Sequence, residues 1–340
     1  MKRWSWVLAL GVLSCGSDDD LSPPEPSTPT FSYPADDTLR LHHLQALSTH
    51  NSYHLEPEGN ELVDWMYSHE PLDVQLDALG VRHVELDLRY DWAEERFEVY
   101  HLPVIDEDTT CRRFTECLER IESWSAGHPG HHPVVVQLEI KDGLPADPQA
   151  YWSGLHDEID SVIPRGDRFQ PADVEGAVDR GLGDVIADEG WPTLGALRGR
   201  VLFMMDNGGE LRDSYTHGGQ HVNDRILFPS STPGDPFAAV AVINDPFDQA
   251  AIDAALAANM LVRTRADAGV AGAQANDITS RDAALASGAH FITTDFPAPT
   301  VGMEYFVQIP GGTPSRCNPV TAPAECTAPA LEAPDQLGSE

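Results

Sequence analysis

From about residue 40 the chain alternates short strand-like runs with helix-like stretches, a rhythm that excludes all-helical and all-β architectures. Strand candidates fall at 44–48, 81–88, 97–101, 134–140, 200–205, 226–229, 240–243, 260–264 and 290–294. Helical stretches at 72–79, 114–125, 150–162, 249–258 and 280–286 lie between several of them. Such alternation implies α/β architecture, a parallel sheet covered by helices. Roughly eight units spread over ~290 residues suit a closed (β/α)8 TIM barrel better than an open sheet. No internal repeat and no second domain is visible in the sequence.

Two of these strands carry charge where a barrel should hide it. In β-conformation His83, Glu85, Asp87 and Arg89 share one face, and Val84, Leu86 and Leu88 the other. Gln137, Glu139 and Lys141 likewise oppose Val136, Leu138 and Ile140. If the apolar set packs on helices, the carboxylates point to the barrel axis, where they need a cation or hydrogen-bond donors. Asp87, Glu139 and Lys141 fall at the C-terminal strand ends, where barrel sites gather.

Four stretches end strands with polar side chains: Ser48-Thr49-His50-Asn51-Ser52-Tyr53, Glu85-Leu86-Asp87, Tyr100-His101-Leu102 and Leu138-Glu139-Ile140-Lys141. Together they supply three carboxylates, one amide and two imidazoles. An oxygen-rich set suits a hard cation: Ca²⁺ takes several oxygens in flexible geometry, and Mg²⁺ demands a stricter octahedron. Zinc would call for more His or Cys. Imidazoles outside such a shell serve as acid-base or charge-stabilising groups.

The N-terminus reads as an export signal. Lys2 and Arg3 precede an apolar run over 6–13 that ends at Ser14-Cys15 and is too short to span a bilayer. Val12-Leu13-Ser14-Cys15 looks like a bacterial lipoprotein cleavage box, which makes Cys15 the candidate lipidation site; ordinary cleavage nearby is the other reading. The expected organisation is a signal peptide over 1–15, a Pro/Asp-rich tether over 16–38, a barrel over 39–327 and a flexible tail over 328–340. Four cysteines remain and permit three connectivities; proximity in sequence selects Cys111–Cys117 and Cys317–Cys326. With 55 Asp+Glu against 21 Lys+Arg, a nucleic-acid partner is excluded, because that binding rests on basic residues neutralising phosphates. Anionic membrane surfaces are disfavoured for the same reason, and a monomer is expected.

The run Thr-His-Asn-Ser-Tyr, then Val-Glu-Leu-Asp, Val-Tyr-His and Gln-Leu-Glu-Ile-Lys resembles the Ca²⁺-dependent phosphatidylinositol-specific phospholipase C family, its bacterial secreted branch in particular. The likeness takes in residues 72–80, the Cys111-x5-Cys117 segment and a final strand reading Gly-Ala-His-Phe-Ile-Thr-Thr-Asp-Phe-Pro. It implies a phosphodiesterase barrel in which Asn51, Glu85, Asp87 and Glu139 hold Ca²⁺ and His50 and His101 are the catalytic imidazoles. It implies a phosphoinositide or other phosphodiester substrate, met at a membrane through the substrate and a lipid anchor. Attack by the inositol 2-hydroxyl, with Glu85 or Glu139 as base, would yield diacylglycerol and a cyclic inositol phosphate. Lys141, Arg263, Arg265 and Asp295 are weaker substrate-binding candidates, each with a structural salt bridge or rim position as the plainer alternative. A glycerophosphodiester phosphodiesterase is the neighbouring enzymatic reading, but that family has His-Arg where this chain has His50-Asn51. A non-catalytic calcium-binding surface lipoprotein is the reading from another class. His42 and His43 are expected to face solvent, His128, His131 and His132 to lie in a loop, and Trp65, Trp92, Trp124, Trp152 and Trp191 to serve packing.

Overall fold

Val, Leu and Ile alternate with polar residues at 83–89 and 136–141, so these strands can bury one face against helices, and in a computed structural model of the chain they do. The structure describes residues 33–311 and 314–333, with Met1, and its fold lies in the unit Phe31–Glu340. The expected signal peptide after Met1, with Cys15, and most of the expected tether lie outside the described residues. Among the described residues no helix is long and apolar enough to cross a membrane.

Eleven strands are described: β1 (Leu44–Thr49), β2 (Val81–Asp91), β3 (Arg96–Val99), β4 (Val134–Ile140), β5 (Arg168–Phe169), β6 (Val201–Met205), β7 (Phe228–Pro229), β8 (Val240–Val242), β9 (Leu261–Arg265), β10 (Phe291–Thr294) and β11 (Ser315–Cys317). Parallel pairing runs β8–β9–β10–β1–β2–β4–β6, and β7 joins β6. A parallel bridge between Ser230 and Val240 links β7 to β8 and closes the ring. The other three strands are additions. β3 folds back antiparallel on β2, β5 fills the edge of β6 below β7, and β11 pairs antiparallel with β1.

The pleat sorts the side chains as the alternation requires. Val84, Leu86, Leu88, Val136, Leu138 and Ile140 join the apolar layer shared with the surrounding helices. Ala46, Val135, Leu202, Val240, Leu261 and Phe291 belong to a second cluster that fills the ring itself. One step along, the interior turns polar: Ser48 Oγ shares hydrogen bonds with His83 Nδ1 (2.6 Å) and Thr293 Oγ1 (2.9 Å).

Both disulfides have the expected connectivity, Cys111–Cys117 and Cys317–Cys326. The first ties the segment after β3, which carries His101, to the helix Phe114–Gly127.

Four expectations are corrected here. Residues 328–333 are no flexible tail: Ala328–Leu331 is helical, and Leu331 and Glu332 are fully buried. The reason is a charge network. Arg82, buried inside the fold, donates to Glu332 through Nε (2.9 Å) and Nη2, and the His132 amide donates to the same carboxylate (2.9 Å). The tether also ends sooner, since Tyr33 is buried beneath the guanidinium of Arg198, which also pairs with Asp36 at 2.7 Å. His42 is buried rather than solvent-facing, accepting from the Trp191 amide (3.3 Å), and Trp92 is exposed at the turn between β2 and β3. His131 and His132 do lie in a loop, but are fully buried.

Breaking the C-terminal network should be costly. Burial alone would raise the Glu332 carboxyl, but Arg82 holds it down at about 2. Its stabilisation is therefore present above the unfolded carboxyl value and is lost as pH falls towards about 2. Glu332→Gln leaves Arg82 buried without its counter-charge and should cost roughly 3–5 kcal/mol at pH 7, measured by urea unfolding. The gap to the parent should narrow below pH 4.

Candidate active site

The mouth is built where β1, β2, β4, β6, β9 and β10 end. β1 passes into His50 and Asn51, and Asn51 adopts a left-handed backbone (φ 43°) that Asn tolerates better than most residues. Ser52 fixes the turn to β2: its amide donates to the Glu85 carbonyl (2.9 Å), and its Oγ accepts from the Glu85 amide (2.8 Å). Asn51 Nδ2 faces the Tyr67 hydroxyl at 3.5 Å, while its Oδ1 is buried with no hydrogen-bond donor.

Asp87 and Glu139 stand opposite one another in the β2–β4 register. Glu85, Asp87 and Glu139 each bring an oxygen to within 4.8 Å of the other two. Asp87 is fully buried, and neither of its oxygens accepts an aligned hydrogen bond. Burial pushes its carboxyl well above the ordinary range, against the pull of Lys141. The Lys141 ammonium sits 3.0 Å from Asp87 Oδ2 and 2.7 Å from Glu139 Oε1. Glu85 differs: burial opposes its ionisation, yet the Arg263 guanidinium, 2.5 Å from Oε2, holds it at about 2. Glu85, Asp87 and Glu139 thus form an all-oxygen group, and Asn51 adds a buried amide oxygen without a donor at the end of β1; such oxygens fit Ca²⁺ and offer no nitrogen or sulfur for a softer ion.

The two candidate imidazoles are each backed by a buried carboxylate. His50 Nδ1 donates to Asp295 Oδ1 (2.8 Å), and its carbonyl accepts from His69 Nε2 (2.8 Å). Asp295 also accepts from Arg265 Nη2 (3.0 Å) and is held far below the usual carboxylate range against its burial, chiefly by Arg265. For His50, burial and then Arg265 outweigh Asp295 and lower the ring's affinity for a proton. His101 Nδ1 donates to Asp106 Oδ2 (2.7 Å), and the other oxygen of Asp106 accepts from His54 Nε2 (3.1 Å). His54 and Asp106 are buried, whereas the side chains of His50 and His101 are 25% and 24% exposed. Arg89 donates twice to the His101 carbonyl (3.1 and 2.7 Å), locking the segment over β2.

The weaker candidates separate. Lys141 and Arg265 reach the mouth, each bound to a carboxylate, and Asp295 links Arg265 to His50. Arg263 does not face the mouth. It is 1% exposed inside the ring, held by Glu85 and Asn244, because its position on β9 lies one pleat deeper than Arg265.

Sequence reasoning passed over Asp106, His54, His69 and Asp206. Asp206 directly follows β6, accepts from Gln137 Nε2 (3.0 Å), and is pushed up to about 7 by burial and then by Glu85. Its only signal was a lone acid after an apolar strand. Asp106, His54 and His69 lie in loops with no periodicity to read.

Comparison with known proteins adds the following. The family model described as phosphoinositide phospholipase C, Ca²⁺-dependent, matches residues 39–99 and 92–319. Among solved structures, the chain is similar to the calcium-dependent phosphoinositol-specific phospholipase C of a Gram-negative Pseudomonas species in its apo form, at 19% identity and TM-score 0.56, over 82% of this chain and 98% of that one. The Ca²⁺-dependent phosphatidylinositol-specific phospholipase C from Streptomyces antibioticus gives 18% identity and TM-score 0.56, over 76% and 96%. A Staphylococcus aureus phosphatidylinositol-specific phospholipase C gives 12% and 0.52, over 81% and 92%. At such identities the structural likenesses speak to the fold. No curated protein matches the chain.

Proposed function

Because the chain belongs to the Ca²⁺-dependent phosphoinositide phospholipase C family, we propose that it cleaves phosphatidylinositol-type lipids to diacylglycerol and a cyclic inositol phosphate. It is a phosphodiesterase of that type. The observation that carries the reading is the oxygen-only set at the mouth, flanked by two imidazoles that are each backed by a buried acid.

Asn51, Glu85, Asp87 and Glu139 would hold Ca²⁺, which supplies a Lewis acid that lowers the pKa of the inositol 2-hydroxyl and offsets phosphate charge. Asp87 is suited to this because it is buried with Lys141 as its one close cation, and Asn51 by an amide oxygen that accepts no hydrogen bond. Lys141, now paired with Asp87 and Glu139, would be available to a phosphate or an inositol hydroxyl once those carboxylates hold a cation. Of the two candidate bases, Glu85 is enclosed and bound to Arg263, whereas the Glu139 side chain is 32% exposed beside the mouth. Glu139 is therefore the carboxylate able to take the proton from the attacking hydroxyl.

His50 commits Nδ1 to Asp295, leaving Nε2 for the phosphoryl group. An anionic phosphate favours the protonated ring, and that positive charge stabilises the crowded transition state. His101, with Nδ1 on Asp106, delivers a proton from Nε2 to the departing diacylglycerol oxygen. The N-terminal sequence supports export with Cys15 as a lipid anchor, holding the barrel near its substrate despite a formal charge of −34.

Phosphorus NMR of the full chain with phosphatidylinositol is the test. A cyclic inositol phosphate signal should appear with Ca²⁺ and vanish in excess chelator. Release of glycerol 3-phosphate from glycerophosphodiesters, with phosphatidylinositol untouched, would move the protein to the neighbouring phosphodiesterase reading.

A further inference from the structure

The connection between the helix Gly209–Tyr215 and β7 gathers two imidazoles and a carboxylate that take no part in the mouth. His217, His221 and Asp224 each offer a ligand atom, and these atoms lie within 4.8 Å of one another. His217 Nε2 donates to Asp224 Oδ1 (2.8 Å), and the two imidazole rings lie nearly parallel with centroids 4.4 Å apart. Among the described residues, the side-chain partners of the three are one another and Arg225, whose Nε stands 3.8 Å from Asp224 Oδ1.

The scaffold beneath them is fixed before any ligand arrives. Thr216 is fully buried, its Oγ1 donating to the Arg212 carbonyl (2.8 Å) and accepting from the Gly219 amide (3.0 Å). The His221 amide donates to the Thr216 carbonyl (3.2 Å). Val222 is buried, and Arg225 is anchored by the Tyr215 carbonyl (2.8 Å). The cost of ordering the backbone is thus met by folding, and only side-chain rotations remain to bring the donors to metal-ligand distances of about 2.0–2.2 Å.

We propose that His217, His221 and Asp224 form a second metal site, selective for a borderline transition-metal ion such as Zn²⁺. Two imidazole nitrogens and one carboxylate oxygen are a poor set for Ca²⁺, which takes six to eight oxygens, and a good one for zinc, with water completing the shell. The two sites thus differ in donor chemistry: oxygen at the mouth, mainly nitrogen at this connection.

Calorimetric titration of the full chain with Zn²⁺, in excess Ca²⁺ to occupy the mouth, tests this. One zinc equivalent should bind, and Co²⁺ in its place should give a visible absorption band. His217→Ala and His221→Ala should each weaken zinc binding about tenfold or more, while Asp87→Asn leaves it unchanged. Zinc should raise the melting temperature of the parent but not of the His217→Ala/His221→Ala double variant, whose metal-free melt reports that it folds. No saturable zinc binding, parent-like affinity in both single His variants, displacement by Ca²⁺, or loss of binding in Asp87→Asn would each overturn the site.

Discussion

Replacing His101 with Ala should lower the turnover of phosphatidylinositol by roughly 10²–10⁴-fold, the usual worth of a general acid. The diagnostic is the leaving group. A diacylglycerol alkoxide departs badly without a proton, whereas a nitrophenolate needs none. The same variant should therefore lose far less activity on a nitrophenyl inositol phosphate, and an equal loss on both would remove His101 from the acid role. Asp106→Asn should reproduce the pattern at smaller scale, roughly 10–100-fold. The amide keeps the shape, but it no longer provides the negative charge facing His101 Nδ1 at 2.7 Å and His54 Nε2 at 3.1 Å. Stopped assays with the two substrates, run side by side, give the comparison.

Asp87→Asn should have opposite effects on activity and on stability. Turnover should fall by at least ~10²-fold if Asp87 holds Ca²⁺ as proposed, because a buried carboxylate oxygen is replaced by a weaker, neutral one. In excess chelator, however, the variant should melt higher than the parent at pH 7, because the neutral amide removes a charge whose burial Lys141 offsets only in part. The sign follows from its protonation. Burial raises the Asp87 carboxyl in the folded state, so ionisation there destabilises the metal-free fold as pH rises above the unfolded value. The advantage of the variant should shrink as pH falls towards 4. Added Ca²⁺ should raise the melting temperature of the parent much more than that of Asp87→Asn, and differential scanning calorimetry in both conditions checks all three statements. Equal calcium-induced shifts in parent and variant would take Asp87 out of the metal set.

The barrel strands were readable because burial of one face forces a period of two. The expected strand at 134–140 coincides with β4, and 81–88 covers all but the last three residues of β2. Some short elements escaped. β5 (Arg168–Phe169) and β11 (Ser315–Cys317) sit in no apolar run such as flags the equally short β7 and β8, and they pair along edges that β6 and β1 offer. The C-terminal helix was misread as a tail because its anchor, Arg82, lies 250 residues away. Arg263 and Arg265 looked equivalent as alternate residues of one strand, yet two residues of depth separate a guanidinium sealed against Glu85 from one that meets Asp295.

The sequence alone determined which side chains face inward, since alternation is a local property of the extended backbone and needs no partner to be read. It also determined the donor chemistry at the strand ends, oxygen in the main with two imidazoles beside it. Tertiary structure decided which charges meet: Lys141 between Asp87 and Glu139, Asp106 behind His101, Asp295 behind His50, Glu332 on Arg82. Those pairings set proton affinities and orient the rings. They depend on distances between segments far apart in the chain, which closure of the ring fixes and no local pattern encodes.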